Sequence, residues 1–342
     1  MTYRGLFGIL VLLAVASAAQ AAGFEHFRPT ARGHSWTNAY LLSLASYYVY
    51  DDAVGARNWD DFKPRFRDRL AGWGMAPRSF TFLRAQSTVL DSQAVVMANH
   101  AVIIVTFRGS DSDPRDFLTN VRFLLHDIGG ASVHSGFRAA ANRLYPGLKE
   151  AVVRERGRKL RPVWLTGHSL GAAIAILCAY RLQREGVPVQ GVYTYGCPRV
   201  GDARYARAVN KAFADRPVQR WVNDHDMIAL LPSPLLGYRH LGQVNNIVPI
   251  GSSWAARLSS AERKMTGIPG HHDPDLYCRH IYAAMPDDLA KKLPAPRRPG
   301  ADPQGVATNE RSRPRAVPAS GQHRPRPRIP YLHASLAGHS QR

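Results

Sequence analysis

A serine flanked by two glycines, placed where an apolar run gives way to a helical period, constrains this chain more than any other feature. The stretch Val163-Trp164-Leu165-Thr166-Gly167-His168-Ser169-Leu170-Gly171 carries Gly-x-Ser-x-Gly behind a strand-like run, and Leu170, Ala173, Ile174, Leu177 and Cys178 then recur at helical spacing. Arg181, Arg184, Gly186 and Pro188 supply the basic last turn, the glycine and the proline that end a helix. A serine at so sharp a strand-to-helix turn has its hydroxyl thrust clear of the sheet, and glycines on either side prevent collision across the turn. The N–H groups that open the helix have no intrahelical acceptor and stand at the positive end of its dipole, a setting that favours an oxyanion. With 28 Gly in 342 residues the five-residue pattern alone is weak evidence; the strand before it and the helix after it make it specific.

A lone serine hydroxyl is a poor nucleophile at neutral pH, so the pattern requires a base and a group to orient that base. On a sheet of this kind the acid follows a later strand and the histidine comes from a later loop. Asn223-Asp224-His225-Asp226 stands at the end of Val218 to Asn223, which reads as another short strand, and this makes Asp226 the first candidate and Asp224 the second. For the base, His240, His271, His272 and His280 are in range. His272 has the local context that fixes a direction, because Ile268-Pro269-Gly270 breaks the chain before it and Asp273-Pro274-Asp275 reads as the cap, N1 proline and acidic first turn of a final helix.

Elsewhere the chain alternates strand and helix signals, which predicts an α/β fold with a mostly parallel sheet and functional groups in the loops after strand ends. Asn38 to Tyr50 has a helical apolar face, with Thr37 or Asn38 as its cap. Thr88 to Ala98 and Ala101 to Phe107 read as a hairpin with a buried second strand, and Val133 to Arg156 as a turn followed by a helix. In the segment 113–125, Phe117, Leu118, Val121, Leu124 and Leu125 share one helical face. That face suits either a helix packed on the sheet or a lid that covers an apolar cleft in water and turns toward a lipid interface.

The ends of the chain have a different character. Arg4, the apolar run Leu6 to Ala19 and Ala19-Gln20-Ala21 form the three regions of an export signal, so residues 1–21 are expected to be a signal peptide and the protein secreted or periplasmic. Three cysteines allow at most one disulfide, and no Cys/His spacing suggests a metal site. Of a formal charge of +20, +9 falls in residues 291–342, where 11 Lys/Arg face 2 Asp/Glu among prolines and without apolar period. That tail is expected to be disordered, either simply solvated or drawn to an anionic membrane or cell-surface polymer, with no dedicated nucleic-acid binding.

The ordered motifs, taken together, resemble the class 3 lipases, the fungal-lipase-like branch of the α/β-hydrolases. They run from Asp91-Ser92-Gln93-Ala94 through Phe107-Arg108-Gly109-Ser110, Phe117-Leu118-Thr119-Asn120, His134-Ser135-Gly136-Phe137 and the serine turn. They continue with Gly196-Cys197-Pro198-Arg199-Val200-Gly201, Val222-Asn223-Asp224-His225-Asp226 and Tyr238-Arg239-His240-Leu241-Gly242 to His272-Asp273-Pro274-Asp275-Leu276-Tyr277. The resemblance covers roughly residues 35–290. It implies an α/β-hydrolase domain over 22–290, Ser169 as nucleophile, Asp226 as acid and His272 as base. It also implies an oxyanion hole from the N–H groups of Ser110 and Leu170, and a lid carrying Phe117, Leu118, Val121 and Leu124. The activity implied is hydrolysis of lipid carboxylic esters at an interface through an acyl-enzyme, without metal or organic cofactor. A triacylglycerol lipase, a phospholipase A1 and a soluble-ester or feruloyl-type esterase are the alternatives within enzymes, and an inactive surface-binding protein the alternative outside them. Ala172 stands where the family often has a second glycine and Asn120 where it often has Asp; the Arg/Pro tail lies outside the family pattern.

Overall fold

Apolar side chains on both faces of consecutive strands require cover on both sides, and that requirement sets the architecture. The computed structural model describes residues 23–75, 77–85, 91–109, 124–223, 226–247 and 272–296. The expected export signal and most of the tail therefore lie outside the described residues, as do Ser110, Phe117, Leu118, Val121, Asp224 and His271.

Seven strands form the main sheet: β1 (Ser79–Ala85), β2 (Ser92–Ala98), β3 (Ile103–Phe107), β6 (Val163–His168), β7 (Gly191–Tyr195), β9 (Gln219–Val222) and β11 (Gln243–Asn246), in that spatial order. From β3 to β11 every neighbouring pair is parallel, whereas β1 and β2 join as antiparallel strands at one edge. The pleat sends alternate residues to opposite faces. Val96, Val105, Leu165 and Val192 enter one core cluster, and Val95, Ile104, Trp164 and Tyr193 the other. A second, four-stranded antiparallel sheet has the order β10 (Tyr238–Arg239), β8 (Gly201–Asp202), β5 (Ser132–His134), β4 (Leu125–Asp127).

Helices cover each face. On one lies α1 (Trp36–Tyr48), buried nearly all round, beside α6 (Pro274–Ala284) near the other end of the chain. On the other pack α3 (Ser135–Arg158) and α4 (Leu170–Arg184), while α2 (Trp59–Ala71) and α5 (Ala203–Ala212) flank the layers. The α1 cap is Ser35, whose hydroxyl accepts the Asn38 N–H at 3.3 Å, not Thr37 or Asn38 as expected. The Asn38 amide is engaged elsewhere: it accepts the Arg28 N–H and donates to the Arg28 carbonyl, tying the entering segment to the helix. Ser46 and Thr166 hydroxyls, 2.8 Å apart, pin α1 to β6.

Several expectations are revised. The hairpin has a third strand, β1, whose Phe80 and Phe82 meet Phe62 and Phe66 of α2 in a stacked and edge-on cluster. The helix proposed for 113–125 does not reach its expected end, because Leu125 opens β4 and Leu124 before it is 58% exposed. The ordered domain also continues past 290. Leu293 is buried, and the Tyr40 hydroxyl donates to the Pro294 carbonyl at 2.5 Å, so the boundary lies at least four residues further on. All three cysteines are free and buried in the core, where loss of hydration pushes the Cys197 thiol up to about 12.

Candidate active site

At the end of β6 the backbone turns through Ser169, at φ 56° and ψ −125°, the one non-glycine residue with positive φ among the described residues. Such a conformation costs on the order of 1–3 kcal/mol and persists only where the surroundings over-determine it. Here the two glycines do so. A β-carbon on Gly167 would stand 2.5 Å from the Gly171 carbonyl carbon, and one on Gly171 would stand 2.3 Å from the Phe107 carbonyl oxygen. Only bare backbone lets α4 begin against the ends of β3 and β6, and that approach leaves the Leu170 N–H at the first turn of the helix.

Asp226 follows β9, and its carboxylate is almost fully buried. The turn it occupies supplies donors: Oδ1 accepts the N–H groups of Ile228 at 2.9 Å and Ala229 at 3.3 Å, and Oδ2 accepts the Tyr277 hydroxyl at 2.5 Å. Burial pushes the carboxyl up, but the attraction of His272 and the hydrogen bonds from His272 and Tyr277 outweigh it and hold the group below the usual carboxylate range.

His272 sits one residue before the Asp273 cap, whose carboxylate accepts the Asp275 N–H at 2.8 Å, with Pro274 as the first helical residue of α6. Its Nδ1 lies 2.8 Å from Asp226 Oδ2 and 2.9 Å from Oδ1, and its Nε2 lies 2.7 Å from Ser169 Oγ. An ionised carboxylate has no proton to donate, so Nδ1 carries the hydrogen and Nε2 is left to accept from the serine hydroxyl. Ser169, His272 and Asp226 thus form one continuous line of hydrogen bonds, brought together from the ends of β6 and β9 and the start of α6.

The other candidate histidines are elsewhere. His280 is buried on α6 and its Nδ1 is 2.9 Å from Asn223 Oδ1, which braces α6 against the end of β9. His240 lies beyond β10, where burial and then the positive charges of Arg220 and Arg199 push it down to about 3.

Three contributors lie within the quoted motifs, but nothing in their local sequence assigned them a role in the site. Tyr277 reaches Asp226 because α6 holds it one turn and a half beyond His272. His168 stands with its ring 4.5 Å from that of His272, bonded through Nδ1 to the Tyr50 hydroxyl at 3.0 Å. Burial, reinforced by the neighbouring His272, pushes it well down, so it is a neutral wall of the site rather than a second base. Gly196, at φ +57°, lets the chain pass beneath the acid: a β-carbon there would be 2.7 Å from Asp226 Oδ2.

The parallel sheet, the serine at the strand-to-helix turn and the order serine, acid, histidine define an α/β-hydrolase. Residues 104–235 match the model of the family Lipase (class 3). A secreted mono- and diacylglycerol lipase of Fusarium solani is 34% identical over 144 residues, which are 40% of this chain and 41% of that protein. A chloroplastic phospholipase A(1) of Arabidopsis thaliana is 28% identical over 269 residues, 71% of this chain and 59% of that protein. Among solved structures, a lipase from Rhizopus microsporus var. chinensis superposes with a TM-score of 0.50 at 28% identity, covering 61% of this chain and 72% of that one. The chain spans about half the length of the first curated relatives it matches.

Proposed function

We propose that this protein is an exported serine hydrolase that cleaves carboxylic esters of lipids through an acyl-enzyme. The observation that carries the reading is the line Ser169 Oγ, His272 Nε2, His272 Nδ1, Asp226, with 2.7 Å and 2.8 Å links and an acid held ionised by its burial partners. As Ser169 Oγ attacks the ester carbonyl carbon, His272 takes its proton. His272 then returns the proton to the departing alcohol, and Asp226 keeps the ring oriented and stabilises the imidazolium. Water, activated by the same histidine, releases the acid. The Leu170 N–H is one donor to the tetrahedral oxyanion and the Ser110 N–H the expected second; a donor of this kind is worth about 3 kcal/mol.

A lipid surface as the place of action is supported by the exposed leucines beside the site. Met227 and Leu230 in the turn after Asp226, then Leu235 and Leu236, are half to almost wholly exposed. Leu125 of β4 lies next to the same loop, 3.4 Å from where a β-carbon on Gly237 would be. Export rests on residues 1–21, and electrostatic attraction of the basic tail to anionic surfaces on its charge. A second reading, phospholipase A1, is favoured by the extent of the Arabidopsis match, 71% of the chain.

An active-serine phosphonate probe should label the protein and fail to label Ser169→Ala; no labelling would make it a binding protein on a hydrolase scaffold. A panel of p-nitrophenyl esters, triglycerides and phospholipids then assigns the substrate: release of a fatty acid from triglyceride supports the lipase, and from the sn-1 position of phospholipid alone the phospholipase.

A further inference from the structure

A cleft of about 380 Å³ opens between α3, α4 and α5, apart from the serine turn and sharing no residue with it. Its volume falls within the range of small-molecule sites, about 300–1,000 Å³. Arg138 and Tyr145 line it from α3, Leu177, Tyr180, Arg181 and Arg184 from α4, and Tyr205 from α5. Ile128 and Val133, from β4–β5, extend an apolar wall, and Ile128 is 39% exposed there.

The three arginines are not equivalent. Arg181 is fully engaged: its guanidinium stacks on the Tyr145 ring at 3.8 Å and its Nε donates to Glu185 at 2.9 Å. Glu185 in turn accepts Tyr145 and pairs with Lys149, so its acceptor capacity is taken. Among the described residues neither Arg138 nor Arg184 has a carboxylate partner, and the Arg184 guanidinium lies 5.8 Å from the centroid of the Tyr180 ring. Nor is Arg184 needed to cap α4, because the closing carbonyls of that helix already receive the N–H groups of Glu185, Gly186 and Val187. Arg138 and Arg184 therefore line, without a carboxylate partner, a cleft whose polar side also holds Asn142 and the engaged Glu185 and whose apolar side is Leu177, Val133 and Ile128. A planar, weakly hydrated guanidinium matches a carboxylate through paired N–H donors, and an apolar wall suits a hydrocarbon body rather than a bare inorganic anion.

We propose that this cleft binds a carboxylate-headed amphiphile of short to medium acyl length, its head met by Arg138 and Arg184 and its chain laid along Leu177, Val133 and Ile128. The same chemical class would leave the catalytic site proposed above as product, but binding here is measured directly and stands or falls apart from hydrolysis.

The test is isothermal calorimetry of the full chain with decanoate, below its micellar concentration, against inorganic phosphate and decanol. Decanoate should bind saturably at one equivalent, with phosphate and decanol at least tenfold weaker. Arg138→Gln and Arg184→Gln should each weaken decanoate at least fivefold, with Arg184→Lys between wild type and Gln, and with melting temperatures unchanged. Arg→Lys keeps charge and stem, so its partial binding reports on the guanidinium even where a Gln variant folds poorly. Absence of saturable decanoate binding, equal affinity for phosphate, or decanoate binding unaffected by both Gln substitutions would each overturn the proposal.

Discussion

The Tyr277 hydroxyl donates to Asp226 Oδ2 at 2.5 Å while accepting the Asn223 backbone N–H at 3.2 Å, so one side chain on α6 fixes both the acid and the strand end that presents it. A hydrogen bond to a charged group is worth about 1.5–3 kcal/mol. Asp226 keeps the N–H groups of Ile228, Ala229 and His272 when this one is removed. Tyr277→Phe should therefore lower kcat roughly tenfold on a soluble ester with little change in KM. Asp226→Asn, which disturbs the tautomer of His272, should cost on the order of 10⁴. Equal losses in the two variants would give the hydroxyl a larger part than orientation.

The histidines separate by position. His272→Ala should abolish acyl-enzyme formation, read by mass spectrometry after a slow-deacylating ester, with the fold retained. His240→Ala should keep measurable turnover. His280→Ala should also turn over but unfold at lower denaturant, because the buried Asn223 side chain loses its 2.9 Å partner, a loss of about 1–3 kcal/mol. Full activity in His272→Ala would remove it as the base.

Stability should fall in acid through buried histidines. Burial pushes His134 down to about 4 and, with Arg220 and Arg199 adding to it, His240 down to about 3; His168 is pushed well below its ordinary value. Below an unfolded value of about 6.5 the unfolded chain takes up protons that the folded chain refuses, so stability is full above that pH and is lost as pH falls toward 4 and 3. Each such histidine contributes a slope of up to about 1.4 kcal/mol per pH unit. Urea midpoints measured from pH 7 to pH 4.5 should drop steadily, and His134→Asn, which can still cap α3 as His134 does for Gly136 and Phe137, should flatten the slope. A midpoint independent of pH over this window would contradict the assignment.

Leu235 is 96% exposed and touches no core, so its removal should leave stability alone. Leu235→Ser combined with Leu236→Ser should lower turnover of emulsified triglyceride several-fold and spare p-nitrophenyl acetate. Equal loss on both substrates would place these side chains in the catalytic cleft instead.

Truncation should distinguish two boundaries. Ending the chain after Ala290 removes the buried Leu293 and the Tyr40 acceptor at Pro294, a loss on the order of 1.5–3 kcal/mol from the leucine alone. Ending it after 296 removes only residues outside the described domain and should leave the melting temperature and soluble-ester turnover unchanged.

What the sequence by itself determined is whatever depends on neighbours in the chain. The apolar run, the paired glycines and the helical period around Ser169 dictate a strand, a tight turn and a helix within about twenty residues, and Asp273-Pro274-Asp275 dictates where α6 begins. Both are visible because backbone sterics and capping act over one or two turns. Asp226 and His272 are local only in part: their loops are legible, but their meeting at 2.8 Å needs β9 and α6 on the same end of the sheet. The tertiary structure alone decided the rest. β11 is short and largely exposed, without an apolar signature, and becomes a strand because β9 offers a free parallel edge. Tyr277, His168, Tyr50 and Gly196 join the site through contacts between segments up to 118 residues apart, where no local periodicity reaches. Local rules set most elements, β11 excepted; the burial of two apolar sheet faces decided which distant side chains surround Ser169.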